Sequence, residues 1–147
     1  MFDVEYKGGN TIMLSSKKAT IVTDPRLSVI GLKDSKVANC VELVTEERFI
    51  VDDDNAKLII CQPGEYEIGN FTIRGIAAVR HIDSGKSEKL STIYRIEYGN
   101  VAVGVLGNIE PKLNDDQLEE LGVIDILIVP VGGSGYTLDS TSAVNLV

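Results

Sequence analysis

The chain reads as an α+β domain built mostly from hairpinned strands, and three observations predict this class. Gly-Asn pairs stand at 9–10, 69–70 and 99–100, between runs rich in apolar residues. Both residues of such a turn tolerate positive φ, which suits a two-residue hairpin. Two short runs, 101–106 and 124–131, are nearly all apolar, as strands covered on both faces are, so a layer must lie outside the sheet. One helix, 114–121, is clearly signalled and supplies part of that layer. Three hairpin turns in so short a chain predict an antiparallel meander rather than a parallel sheet.

In chain order, residues 2–6 and 11–15 form a first antiparallel pair joined around Lys7-Gly8-Gly9-Asn10, with Ile12 and Leu14 on one face. A third strand, 19–23, stops at Asp24-Pro25, because proline has no N–H for the ladder. Residues 26–39 have weak periodicity and read as loop. Cys40-Val41-Glu42-Leu43-Val44 alternates enough for a half-buried strand, Phe49-Ile50-Val51 is a candidate strand, and Leu58-Ile59-Ile60-Cys61 suits a buried one.

The best-marked hairpin follows: Pro63-Gly64 makes a corner, Gly69-Asn70 a turn, and Phe71 opens a strand that Ala77 onward extends. A second runs from Thr92 through Gly99-Asn100 to Leu106. In the helix 114–121, Asn114 is the cap, Gln117 stands at the capping-box position, and Gly122 is the stop. Asp139 reads as the cap of a last helix of about two turns, too short to stand alone.

A chain of 147 residues fits one domain, 1–147, with a sizeable core. Its 22 acidic against 14 basic residues repel phosphate backbones, so nucleic acid is not an expected partner. No run approaches the ~18 consecutive apolar residues of a membrane span, so no membrane partner is expected either. The N-terminus alternates apolar and charged residues instead of showing a signal peptide, which makes a cytoplasmic location the expectation. Cys40 and Cys61 are not in Cys-x-x-Cys pairs; reduced buried thiols are the default, and a disulfide between them stays open if their strands are neighbours.

A series of short motifs then occurs in a telling order. It runs Tyr6-x-Gly8, Thr23-Asp24-Pro25, Pro63-Gly64-Glu65-Tyr66-Glu67, Gly75-Ile76, Thr92-Ile93-Tyr94 and Leu106-Gly107-Asn108. Asp116-Gln117, Glu120-Leu121-Gly122, Asp125-Ile126-Leu127, Pro130-Val131-Gly132-Gly133 and Tyr136-Thr137-Leu138-Asp139 continue it. Taken together these resemble the metallo-β-lactamase fold, in its branch of small zinc-dependent hydrolases similar to lactonase-type enzymes. The resemblance spans nearly the whole chain. It implies an αββα sandwich, two mixed sheets face to face with helices outside, here incomplete at the C-terminal end.

The resemblance also implies zinc. Family sites use a His-x-His-x-Asp-His cluster after a strand, a further His, a bridging Asp and a last His, which together generate a hydroxide nucleophile. This sequence holds one histidine, His81. Where the cluster belongs, the strand 41–45 runs into Glu46-Glu47-Arg48. Gly8-Gly9-Asn10 stands where the family often reads Gly-His-Ser, and Asn108 stands in place of the bridging Asp. The expectation is a domain with no catalytic residue, no metal ligand set and no cofactor. Asp24, Asn108 and Asp139 remain as candidates by their position in the former cleft.

Other constellations have simpler readings. His81 has no Ser or Cys tied to it by motif and reads as a surface or loop-edge residue. Asp52-Asp53-Asp54 with Glu46 and Glu47 lacks the alternation of a calcium loop and reads as a solvated acidic turn. Glu65 and Glu67 share one strand face, unlike acid/base carboxylates set across a cleft. Gly132-Gly133-Ser134-Gly135 lacks the Gly-Lys-Ser/Thr end of a phosphate loop and reads as a sharp turn. The expected function is therefore a binding or self-associating module, with a homo-oligomer hiding uncovered apolar strand surface. The rival is a residual metal-dependent hydrolase of the same superfamily.

Overall fold

The chain alternates hairpins with longer crossovers, and that alternation builds two sheets. The computed structural model describes residues 2–51, 56–80, 90–110 and 112–131, with positions 141, 144 and 147. The first sheet holds β1 (Asp3–Gly8), β2 (Thr11–Ser15), β3 (Thr20–Thr23), β4 (Val41–Leu43) and β5 (Leu58–Ile60), in that spatial order. The second holds β6 (Gly64–Ile68), β7 (Phe71–Val79), β8 (Leu90–Tyr98), β9 (Val101–Val105) and β10 (Ile126–Ile128), ordered β10-β9-β8-β7-β6.

All three Gly-Asn turns sit where they were expected, closing β1–β2, β6–β7 and β8–β9. The meander expectation needs correction. β3–β4, β4–β5 and β9–β10 pair in parallel, so both sheets are mixed. Each parallel pair follows a connection of a dozen or more residues, enough to return the chain to the end where it began.

The core forms between the inner faces. Ile12, Leu14, Ile21, Val41, Leu43 and Ile60 of the first sheet meet Phe71, Ile73, Tyr94, Ile96, Val103 and Val105 of the second. Tyr94 is fully buried among apolar side chains, and its hydroxyl would be orphaned without a partner. It crosses the interface to donate to the Val44 carbonyl oxygen at 2.6 Å.

The outer face of the second sheet carries α1 (Asp115–Leu121), docked by Leu121 over Ile76 and Ile93. Its capping box is complete: Asn114 Oδ1 accepts from the Gln117 N–H at 2.8 Å, and Gln117 Oε1 accepts from the Asn114 N–H at 2.9 Å. The outer face of the first sheet is covered differently. Val22 and Glu42 are buried there, and the Val51 N–H donates to Glu42 Oε2, so the segment after β4 folds back over the sheet. Helix content among the described residues is accordingly low for an αββα sandwich.

Three strand expectations are also corrected. Phe49-Ile50-Val51 is no strand: Glu47–Phe49 is a 3₁₀ turn, with the Phe49 N–H bonded to the Glu46 carbonyl at 3.0 Å. β5 is a sheet edge, leaving Leu58 45% and Ile59 39% exposed although the run is wholly apolar. β10 is likewise an edge strand and only half-buried, not covered on both faces. Positions 141 and 144 are helical, while Asp139, the expected cap, lies outside the described residues.

Candidate functional site

Asp24 stands where β3 ends, at φ +40°, a left-handed conformation that non-glycine residues seldom adopt. Its side chain turns inward and is only 2% exposed. Three donors hold the carboxylate. Oδ1 accepts from the Thr45 N–H at 2.7 Å, while Oδ2 accepts from Thr45 Oγ1 at 2.8 Å and from Asn10 Nδ2 at 2.7 Å. Its carbonyl oxygen accepts from Thr11 Oγ1 at 2.6 Å. One residue therefore ties the ends of β2, β3 and β4 together. Burial pushes its carboxyl up to about 6, against the pull of the Asn10 and Thr45 hydrogen bonds and with a further push from Glu46.

Asn108 reaches the same place from the second sheet. The preceding Gly107 sits at φ +67°, and a Cβ there would lie 2.8 Å from the Thr45 side chain. Glycine is required on both counts, and the β9 exit can then press against Thr45. Asn108 is 6% exposed, and its Oδ1 finds no hydrogen-bond donor among the described residues. Asp24, Asn10 and Asn108 border one small cavity of about 100 Å³, together with Leu27, Phe49 and Pro130. Two of the three residues singled out in the sequence are thus brought together. Asp139 lies outside the described residues, as do His81, the acidic run 52–55 and Gly132-Gly133-Ser134-Gly135.

Thr45 links this cluster to a larger cleft. Its carbonyl oxygen accepts from the Thr92 N–H at 2.9 Å and from Ser91 Oγ at 3.2 Å. Next to it Glu46 is 6% exposed, with both carboxylate oxygens engaged. Arg48 Nη2 donates to Oε2 at 3.2 Å and Arg80 Nη1 donates to Oε1 at 3.1 Å. The Arg48 guanidinium also lies 4.8 Å from the Phe49 ring centroid. A buried carboxylate needs such partners, because desolvation without them costs several kcal/mol. The cleft beside the cluster encloses about 470 Å³. Cys61 borders it as a thiol held above its ordinary pKa by burial and by Glu47, and no disulfide joins it to Cys40.

The Glu46–Arg48–Arg80 cluster was not anticipated. Only Glu46 and Arg48 carried a signal, as charged residues directly after an apolar strand. Arg80 is far away in sequence, and nothing local marks it. Glu65 and Glu67 are exposed on β6, as expected, with Glu65 paired to Arg74 at 3.4 Å.

Two facing mixed sheets, with polar residues gathered where β3, β4 and β9 end, define the metallo-β-lactamase class of fold. The family model described as the beta-lactamase superfamily domain matches residues 3–147, and the chain belongs to that family. Among solved structures it is similar to a protein from Thermotoga maritima assigned to the Zn-dependent hydrolases of the metallo-beta-lactamase superfamily. That likeness has 24% identity and a TM-score of 0.75, covering 99% of this chain and 69% of the other. A protein assigned as a metal-dependent hydrolase from Parabacteroides distasonis follows, at 14% identity and TM-score 0.71 over 99% and 76% of the two chains. Igni18, a metallo hydrolase from Ignicoccus hospitalis, matches at 16% identity and TM-score 0.69 over the same shares. At these identities the likeness shows the fold. No curated protein matches the chain in sequence.

The zinc that this fold family implies does not fit the residues at the end of β4. A divalent cation at Glu46 would meet two guanidinium cations already bonded to both of its oxygens. Asn108 offers a neutral amide instead of a bridging carboxylate. Among the described residues no three His, Cys, Asp or Glu side chains are gathered to hold an ion. No helix among them is long and apolar enough to cross a membrane.

Proposed function

We propose that this domain is a non-hydrolytic member of the superfamily, a binding module that keeps the sandwich and has exchanged metal chemistry for an ion-paired cluster. One observation carries the reading: at the end of β4, Glu46 has both oxygens engaged by Arg48 and Arg80. The resemblance places the first metal-binding histidines at this point of the chain. Two guanidinium groups around one carboxylate serve an electrostatic role there without a Lewis acid.

Self-association is the second part of the proposal, favoured by β5. Among the described residues this strand stands at the edge of its sheet and exposes Leu58 and Ile59, a surface suited to another copy of the same chain. The residual hydrolase reading has no comparable set of described residues in its support.

One experiment addresses both parts: elemental analysis of the purified protein together with its mass by sedimentation equilibrium. The expected outcome is far less than one zinc per chain, no turnover of ester or lactone substrates, and a mass above that of one chain. Stoichiometric zinc, with turnover that a chelator abolishes, would refute the non-hydrolytic reading. A single-chain mass at high concentration would refute self-association.

A further inference from the structure

We propose that the small cavity where β3 and β9 end binds a primary ammonium group carried on a short alkyl chain, with Asp24, Asn10 and Asn108 as its acceptors. None of the residues that carry the non-hydrolytic reading takes part. The cavity encloses about 100 Å³. One water molecule needs only ~10–15 Å³ of such space, so a ligand of a few heavy atoms fits. Leu27, Ile30, Phe49 and Pro130 give the cavity a mainly apolar wall, to which an alkyl body is suited. Ile30 is itself exposed, so the cavity reaches the surface.

The polar groups select the head. Asn108 is 6% exposed and its Oδ1 finds no donor among the described residues, and Asn10 Oδ1 is likewise buried without one. Buried acceptors without donors are costly, which favours a molecule that brings N–H groups to them. The amide torsion of asparagine is broad, so the Asn108 oxygen can turn toward the cavity at little cost. Asp24 supplies the charge. Its hydrogen bonds from Asn10 and Thr45 do not offset its burial: the carboxyl is still pushed up to about 6, and it is ionised at pH 8. Among the described residues no cationic side chain is ion-paired with it. A buried carboxylate of this kind gains from a cation brought beside it. Glu46 adds to the negative potential there, while Arg26, also on the lining, is exposed, and the high dielectric of water weakens its repulsion. An ammonium head suits the cavity better than a metal ion, because the apolar wall cannot supply the many oxygen ligands that a hard cation requires.

The test is NMR titration of the ¹⁵N-labelled full chain at pH 8 with propylammonium chloride and, separately, with 1-propanol, its neutral counterpart. Ionic strength is held constant with sodium chloride. Propylammonium is expected to bind saturably in the millimolar range, the scale open to so small a ligand, and to shift the amides of Asn10, Thr45 and Asn108. 1-Propanol should bind about tenfold or more weakly, because its hydroxyl offers the carboxylate no charge. Asp24→Asn should remove that preference for the cation. A merely structural Asp24 would leave the ratio of the two affinities where it was. Asn108→Leu, which keeps the side-chain volume without the acceptor, should weaken propylammonium by about fivefold or more. Should Asp24→Asn fail to fold, as judged by circular dichroism, Asn108→Leu carries the comparison. Shifts that do not saturate, or that sodium chloride alone reproduces, overturn the proposal. Equal affinity for the two ligands in the wild type overturns it as well, as does a preference that survives Asp24→Asn. Any of these results leaves the non-hydrolytic reading standing, since that reading is decided by zinc content and turnover.

Discussion

Replacing Asp24 with asparagine tests the account of the polar cluster most directly. The Asp24 carboxyl is enclosed, with its pKa raised from 3.8 to about 6 chiefly by burial. A raised carboxyl favours the protonated folded state. Its contribution to stability is therefore fully present below pH 3.8 and is lost as the pH rises through 6. At about 1.4 kcal/mol per pH unit, this gap corresponds to about 3 kcal/mol of stability that the wild type lacks at neutral pH. The amide introduced by Asp24→Asn would carry no charge at any of these pH values. Its oxygen would still accept the Thr45 N–H, while its N–H₂ would replace the oxygen that accepts from Asn10 Nδ2 and Thr45 Oγ1. The Asn10 amide must therefore turn over to present Oδ1, which finds no donor among the described residues of the wild type, and the Thr45 hydroxyl must accept. The D24N protein is thus expected to exceed the wild type at pH 8 by up to about 3 kcal/mol, with the difference vanishing near pH 4. Urea denaturation of both proteins from pH 4 to 8 measures this, and subtracting the curves removes the titration of every shared carboxylate. A constant difference across that range, or one that grows toward acid, would refute the reasoning.

Two further substitutions probe how the site is framed. Tyr94→Phe removes the hydroxyl that donates to the Val44 carbonyl across the two sheets, and a loss of about 1–3 kcal/mol is expected in urea denaturation. No loss would mean that the bond does not join the layers. Gly107→Ala places a methyl 2.8 Å from Thr45 at a positive φ, and thermal unfolding should show a loss of about 2 kcal/mol or more. A neutral outcome would mean that the β9 exit does not press on Thr45 as described.

The site was legible in the sequence only in part. Asp24 and Asn108 stood out only through the family resemblance, as members of the Thr23-Asp24-Pro25 and Leu106-Gly107-Asn108 motifs that border the former cleft. Neither position revealed its partners. Thr45, which bonds Asp24 through both backbone and side chain and meets Ser91 and Thr92 through its carbonyl, carried no signal at all. Arg80 was equally silent, because an ion pair with Glu46 depends on how β7 is placed relative to β4.

By itself the sequence determined whatever is written in neighbouring residues. The three Gly-Asn hairpins and the Asn114–Gln117 capping box are of this kind, since turn chemistry and cap donors act within a few positions. So is the membership of the two-sheet family, which the ordered motifs carried. Tertiary structure alone decided the parallel pairing of β3, β4 and β5, and the exposure of an apolar run such as Leu58-Ile59. It also decided the meeting of Glu46 with Arg80, which lies 34 positions along the chain. The physical reason is common to all of these. Burial, edge position and ion pairing belong to what lies alongside a residue in space, and the chain brings those neighbours from tens of positions away.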